Sequence, residues 1–116
     1  MKKAGAFGTV VYSGTRFALV KDQAGLEARD FFGYFPEADI LLLEGQKNSA
    51  YPKIEVLRQE ISCSPVCSPE TVLAYVADCQ VSQQGSREPR QVFAFDQLNE
   101  VAELAIHHMD AVFFKN

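Results

Sequence analysis

Short apolar runs broken by turn residues, rather than long helical stripes, dominate this chain. Thr9-Val-Val-Tyr12 and Arg16-Phe-Ala-Leu-Val20 are rich in β-formers and are separated by Ser13-Gly14-Thr15. That arrangement predicts a hairpin whose glycine is free to take a positive φ. Ile40-Leu-Leu-Leu43 is apolar at every position, which predicts a strand covered on both faces. Lys53-Ile-Glu-Val56 alternates, so one face of that strand is expected to be wet or to pair across an interface. Leu73-Ala-Tyr-Val-Ala77 and Val92-Phe-Ala-Phe95 are again continuous apolar runs. Leu98, Val101, Ala102, Ala105 and Met109 fall on one stripe of a 3.6-residue period, predicting an amphipathic helix with Asp96 as its N-cap. A weaker helix is expected from Leu26 to Tyr34, ending before Pro36.

Buried-type strands with intervening helices imply an α/β layer structure. Two or three helices are few for six strands, because each parallel step needs a crossover. The expectation is a partial α/β sheet plus an antiparallel hairpin section, or a fold that borrows its missing layer from a partner. Segments 62–69 and 82–90, rich in Ser, Pro, Gln and Gly, read as surface loops.

Composition narrows the classes. With 116 residues, 47% hydrophobic and 22% charged, residues 1–116 are expected to form one globular domain. A net charge of −4 without a basic stripe argues against nucleic acid as a partner. No apolar run approaches the roughly 20 residues needed to cross a bilayer. Met1-Lys2-Lys3 leads into a glycine-rich stretch unlike a signal peptide, so a cytoplasmic location is expected. Cys63, Cys67 and Cys79 are therefore expected to be reduced thiols, with no metal site and no role fixed for any of them. Proline 65 interrupts Cys63-x3-Cys67, and adjacent His107 and His108 lie about 100° apart on a helix, so neither makes a metal pair.

The most informative segment is Ala38-Asp-Ile-Leu-Leu-Leu-Glu-Gly-Gln-Lys47, where an apolar run ends in Glu44-Gly45. An acidic residue on a turn beyond a strand's carboxyl end can hold hydrated Mg²⁺ beside phosphates, and Lys47 can reach a phosphate as a point charge. Leu41-Leu-Leu-Glu-Gly-Gln-Lys47 followed by Pro52-Lys-Ile-Glu-Val-Leu-Arg58 resembles the molybdopterin-guanine dinucleotide biosynthesis protein B family (MobB). The family's strand ends in Val-Glu-Gly-Phe-Lys and is followed by Pro-Lys-Ile-Glu-Val. Residues 10–19 resemble its hairpin, Tyr75-Val-Ala-Asp78 its later Val-Ser-Asp strand end, and Phe93-Ala-Phe-Asp96 its closing strand before the last helix.

Two departures stand out. The family opens with a Walker-A loop, Gly-x-x-x-x-Gly-Lys-Ser/Thr, and no such stretch occurs here. Gln46 stands where the family usually has Phe. The chain thus resembles the family without its phosphate-binding half, as either a fragment or a naturally separate piece.

The resemblance implies a partial P-loop-NTPase-like mixed sheet and an accessory GTP-binding type of protein. It further implies service to a molybdopterin guanylyltransferase and a homodimer. GTP and Mg²⁺ are expected only with a separate P-loop partner, and no independent GTPase activity is expected. By resemblance Glu44, Gly45, Lys47 and Asp78 are the nucleotide and Mg²⁺ residues. Lys53, Glu55 and Arg58 form an interface or structural motif, in which Lys53 and Glu55 are within reach of a surface ion pair or fix register across a dimer. No nucleophile–base pair is evident, so no catalytic residue is assigned. The alternative expectation is a dimeric interaction or scaffold module that binds no nucleotide.

Overall fold

The computed structural model describes residues 5–85 and 87–112, excluding the side chains of 109–112. The chain divides into two compact units, Met1–Leu43 and Glu44–Asn116.

The first unit is built on an antiparallel hairpin of β1 (Gly8–Tyr12) and β2 (Phe17–Lys21). Its register pairs Val10 with Leu19 and Tyr12 with Phe17 on one face, and Val11 with Ala18 on the other. The Ser13 N–H donates to the Arg16 carbonyl at 2.7 Å, closing the turn without a positive φ at Gly14. Residues 26–34 do not form an α-helix. A 3₁₀ helix spans Ala28–Tyr34, opened by a reciprocal cap in which Asp30 accepts the Glu27 N–H at 2.8 Å. Residues 40–43 are not a strand either. Leu42 is 85% exposed there, because among the described residues no neighbouring strand offers the run a ladder. No described side chain of this unit is buried.

The second unit holds a three-stranded parallel sheet in the order β3 (Lys53–Leu57), β4 (Val72–Ala77), β5 (Gln91–Phe93), followed by α1 (Leu98–Val112). Both strand pairings are parallel, with Leu57 beside Ala77 and Val76 beside Phe93, so the carboxyl ends of all three strands line up. β4 is central and almost wholly buried, as its continuous apolar sequence anticipates. On one face Ala74, Val76 and Phe93 pack with Ile54 under Val101 and Leu104 of α1. Val101 belongs to the predicted stripe and Leu104 does not; the Met109 side chain lies outside the described residues. The helix begins one residue later than an Asp96 cap requires. Gln97 directly precedes it, and its side-chain oxygen accepts the Ala94 N–H at 2.8 Å.

The other face is covered without a helix. Residues 58–71 connect β3 to β4, and residues 78–90 connect β4 to β5; among the described residues both are irregular apart from a short 3₁₀ turn at Pro69–Thr71. Leu57, Val72, Tyr75 and Ala77 form the core beneath them, with Cys67, Cys79 and Val81 packed against it. The second connection is closed by Gln83, whose side-chain amide donates to the Arg90 carbonyl at 3.0 Å and accepts the Arg90 N–H at 2.6 Å. One side chain there stands in for a missing strand partner.

Phe93 is 4% exposed and joins sheet to helix, whereas Val56 is 57% exposed. Phe93→Ala is expected to cost about 3–5 kcal/mol through lost transfer energy and a residual cavity. Val56→Ala should stay within about 0.5 kcal/mol, as exposed substitutions do. Urea unfolding of the full chain followed by far-UV circular dichroism checks both; a Phe93→Ala cost under about 1 kcal/mol would refute this account of the helix-bearing core.

Candidate functional site

In open α/β sheets ligands gather beyond the carboxyl ends of the strands. Here that edge carries Arg58 and Gln59 after β3, Asp78 after β4, and Phe95 after β5. Asp78 is exposed, and its Oδ1 accepts the Gln59 N–H at 2.7 Å, which ties the ends of β3 and β4 together. The Arg58 guanidinium lies 5.9 Å from the centroid of the Phe95 ring, reaching from the end of β3 to the end of β5. Such a cation–π contact at an exposed site is worth about 0.5–1 kcal/mol. Arg58 also approaches Glu60 at 3.9 Å, an exposed pair of small energetic weight. The edge thus presents a carboxylate, a guanidinium and an aromatic ring side by side. Phe95 is the member that sequence reasoning did not single out. Its signal was its place just past a strand that runs parallel to β4.

Glu44, Gly45 and Lys47 do not lie on this edge. They belong to the turn that leads into the amino end of β3, opposite the end from which Asp78 departs. Glu44 and Lys47 are exposed. Gly45 has a φ of 80°, a backbone conformation that glycine adopts without strain. The turn folds back through the Ser49 N–H and hydroxyl, which both bond the Gln46 carbonyl, the hydroxyl at 2.8 Å. The four residues named for nucleotide binding are therefore distributed over two places rather than gathered in one. Among the described residues, no three His, Cys, Asp or Glu side chains converge as a metal cluster.

The Lys-Ile-Glu-Val strand differs most from its sequence pattern. Glu55 is the buried residue, at 7% exposure, while its apolar neighbour Val56 is exposed. Glu55 faces the irregular connection, where its carboxylate accepts the Val66 N–H at 2.7 Å and the Cys67 N–H at 3.4 Å. Lys53 makes no ion pair with it. The Lys53 Nζ instead donates to the Ser49 carbonyl and, at 2.8 Å, to that of Tyr51, anchoring the approach to β3. The charged face of the strand is thus the covered one, because backbone N–H groups laid over it need an acceptor.

The cysteines depart from expectation too. Cys63 and Cys79 are joined in a disulfide, and Cys67 is a half-buried free thiol. Burial pushes the Cys67 thiol up, and the Glu55 carboxylate adds to it by charge and hydrogen bonding. The Lys53 and Lys47 charges pull the other way. Burial, then Glu55 and Cys67, likewise raise the Tyr75 hydroxyl, against the opposing charge of Arg90.

Removing the Glu55 carboxylate removes a repulsion on the Cys67 thiolate, so the thiol should ionise at lower pH. Glu55→Gln is expected to move the pH midpoint of Cys67 alkylation downward, though burial keeps it above that of a free thiol. Glu55→Ala leaves buried N–H groups without an acceptor and should cost about 1–3 kcal/mol. Alkylation rates across pH, with mass-spectrometric location of the label, check the first; an unchanged midpoint would remove Glu55 from the account.

No helix among the described residues is long and apolar enough to cross a membrane. No curated protein matches the chain. A family model described as molybdopterin guanine dinucleotide synthesis protein B matches residues 1–78, a span that takes in the Glu44 turn, the Lys53–Leu57 strand and Asp78. The mixed arrangement, an antiparallel hairpin and a parallel three-stranded sheet under a helix, agrees with a partial P-loop-like fold of that family. With well over half its length so matched, this chain belongs to the molybdopterin guanine dinucleotide synthesis protein B family.

Proposed function

We propose that this chain is an accessory domain of molybdopterin guanine dinucleotide synthesis that contributes only part of a guanine-nucleotide site. The carrying observation is that the family match takes in Glu44, Lys47 and Asp78 in a sequence with no Walker-A loop. The residues present do not fit GTP and Mg²⁺ by themselves. There is one acidic turn, no converging metal cluster among the described residues, and no glycine-rich cradle of N–H groups for the phosphates. A separate P-loop chain would complete the site, and a molybdopterin guanylyltransferase would be the enzyme served. Glu44, Gly45 and Lys47 would then act at the Mg²⁺ and phosphate end, and Asp78 at the base. The reading includes a cytoplasmic, homodimeric protein.

Phosphoryl transfer depends on positioning and charge neutralisation. A chain without the cradle should therefore lack turnover. With Mg²⁺ and GTP, the isolated full chain is expected to release phosphate no faster than buffer. A ligand at about 100 times its Kd stabilises a fold by about 2.7 kcal/mol, so a thermal shift reports binding independently of turnover. Any shift produced by Mg²⁺ and GTP should shrink in Glu44→Ala and Lys47→Ala. Glu44-dependent hydrolysis by the isolated chain would overturn the proposal.

A second reading, an interaction module without nucleotide, is favoured by the hairpin. Val10, Tyr12, Phe17 and Leu19 share one exposed face, with Tyr12 at 81% exposure. A lone two-stranded hairpin is marginal in water, so such a face favours a covering partner. Absence of any Mg²⁺–GTP shift, together with a dimeric mass in solution that Tyr12→Ser reduces, would select this reading.

A further inference from the structure

Beyond the Gln59–Asp78 hydrogen bond at its start, the connection between β3 and β4 is held to the sheet at two separate points. At one, Glu55 accepts the N–H groups of Val66 and Cys67. At the other, Cys63 is bonded to Cys79, the residue that follows Asp78 at the carboxyl end of β4. The two points act on different parts of the connection. Ser64 and Pro65 lie between them, and these with Cys67 and Pro69 form one wall of a cleft. Ser82, Gln83 and Gln84 of the second connection form the opposite wall, over Tyr75. The disulfide therefore joins the first connection, one residue before the cleft-lining Ser64, to the start of the second.

We propose that the Cys63–Cys79 disulfide is a reversible redox latch, opened by a low-molecular-weight thiol such as glutathione, that fixes or frees the β3–β4 connection over the Tyr75 face of the sheet. A glutathione thiolate attacks one sulfur of the pair, the S–S bond breaks, and a mixed disulfide forms while the other cysteine takes a proton. A second glutathione displaces the first as oxidised glutathione, and the remaining cysteine is protonated. Two electrons pass from two glutathione sulfurs to the protein, and two cysteine thiols result. Reduction leaves the connection held at its start by Asp78 and near Val66 by Glu55, and releases it near Cys63.

Three features make this a device rather than a permanent staple. Among the described residues the covered face has no helix on it, and within the connection only Ile61, Ser62 and Thr71 donate backbone bonds, so it depends on its attachments. The parallel sheet and α1 form a separate core on the opposite face, which the disulfide does not touch. The third cysteine, Cys67, packs on the same apolar cluster as Cys79 yet stays outside the bridge. Burial and Glu55 keep its thiol protonated, which slows its attack on the disulfide.

The test uses the full chain equilibrated in glutathione buffers, followed by acid quench, maleimide trapping, intact mass and peptide mapping. Under excess oxidised glutathione one thiol should be trapped, at Cys67; under excess reduced glutathione, three. Backbone hydrogen exchange in residues 62–68 should rise at least about tenfold on reduction, while exchange in β4 stays unchanged, since local opening need not follow global stability. Cys67→Ser should keep the transition, and Cys63→Ser should show fast exchange in both buffers. Three free thiols in both buffers, Cys67 within the bridge, a bridge that fully reducing buffer leaves intact, or equal exchange of 62–68 in the two states would each overturn the latch. The wild-type comparison alone decides the matter should either variant fail to fold.

Discussion

The second unit depends on how an irregular chain is laid over the inner face of a parallel sheet. A crossover helix carries its own acceptors for its N–H groups, so only side chains need contact the strands. Residues 58–71 do so only in part, at Ile61, Ser62, Ser64 and Thr71, and the N–H groups of Val66 and Cys67 would lack an acceptor if the sheet offered nothing polar. Glu55 supplies the acceptor from within the sheet. A hydrogen bond to a charged partner is stronger than a neutral one, and an unmet buried donor is costly. Much else goes with that one placement. The strand's charged face turns inward and Val56 turns outward, and burial together with the Glu55 charge raises the Cys67 thiol and the Tyr75 hydroxyl.

The opposite face is conventional, and the contrast explains the unit's asymmetry. There α1 satisfies its own backbone and contributes Val101 and Leu104 to a cluster with Phe93, Ala74 and Val76. Regular secondary structure covers that side, whereas two irregular connections cover the other. The hairpin unit is different again. Its strands pair in good register yet no described side chain in it is buried, so its register comes from the ladder and the turn, not from a core.

Elements whose evidence is local were legible in the sequence. The hairpin, β3, β4, β5 and α1 fall where alternation, continuous apolar runs and the helical stripe place them. Ile40–Leu43 failed as a strand because an apolar run shows burial preference but not the existence of a neighbour, and a ladder needs one. Glu55 was misjudged for a related reason: alternation identifies two faces without saying which is covered, and polarity is a poor guide when the cover brings bare N–H groups. The cysteine expectation rested on compartment, an argument from outside the chain, and spacing along the sequence could not show Cys63 meeting Cys79. Of the candidate site, Asp78 and Arg58 were legible as motif residues. The contact of Arg58 with Phe95 and the bond from Gln59 to Asp78 depend on three parallel strands ending in register, which only the fold supplies.

The proposed division of a nucleotide site follows from electrostatics as much as from the missing loop. A nucleoside triphosphate is strongly anionic, and this chain carries a net charge of −4. Near the acidic turn the named cations are Lys47, which is exposed, and Lys53, whose ammonium is already given to two backbone carbonyls. Long-range repulsion would therefore oppose phosphate binding, and a metal at Glu44 alone would keep most of its water. The carboxyl edge carries no such penalty for a base. An aromatic ring and a carboxylate can engage a heterocycle by stacking and hydrogen bonding without facing the phosphate charge. The chain's own chemistry thus suits the neutral end of a nucleotide, which makes a cationic, N–H-rich partner the complement the proposal requires.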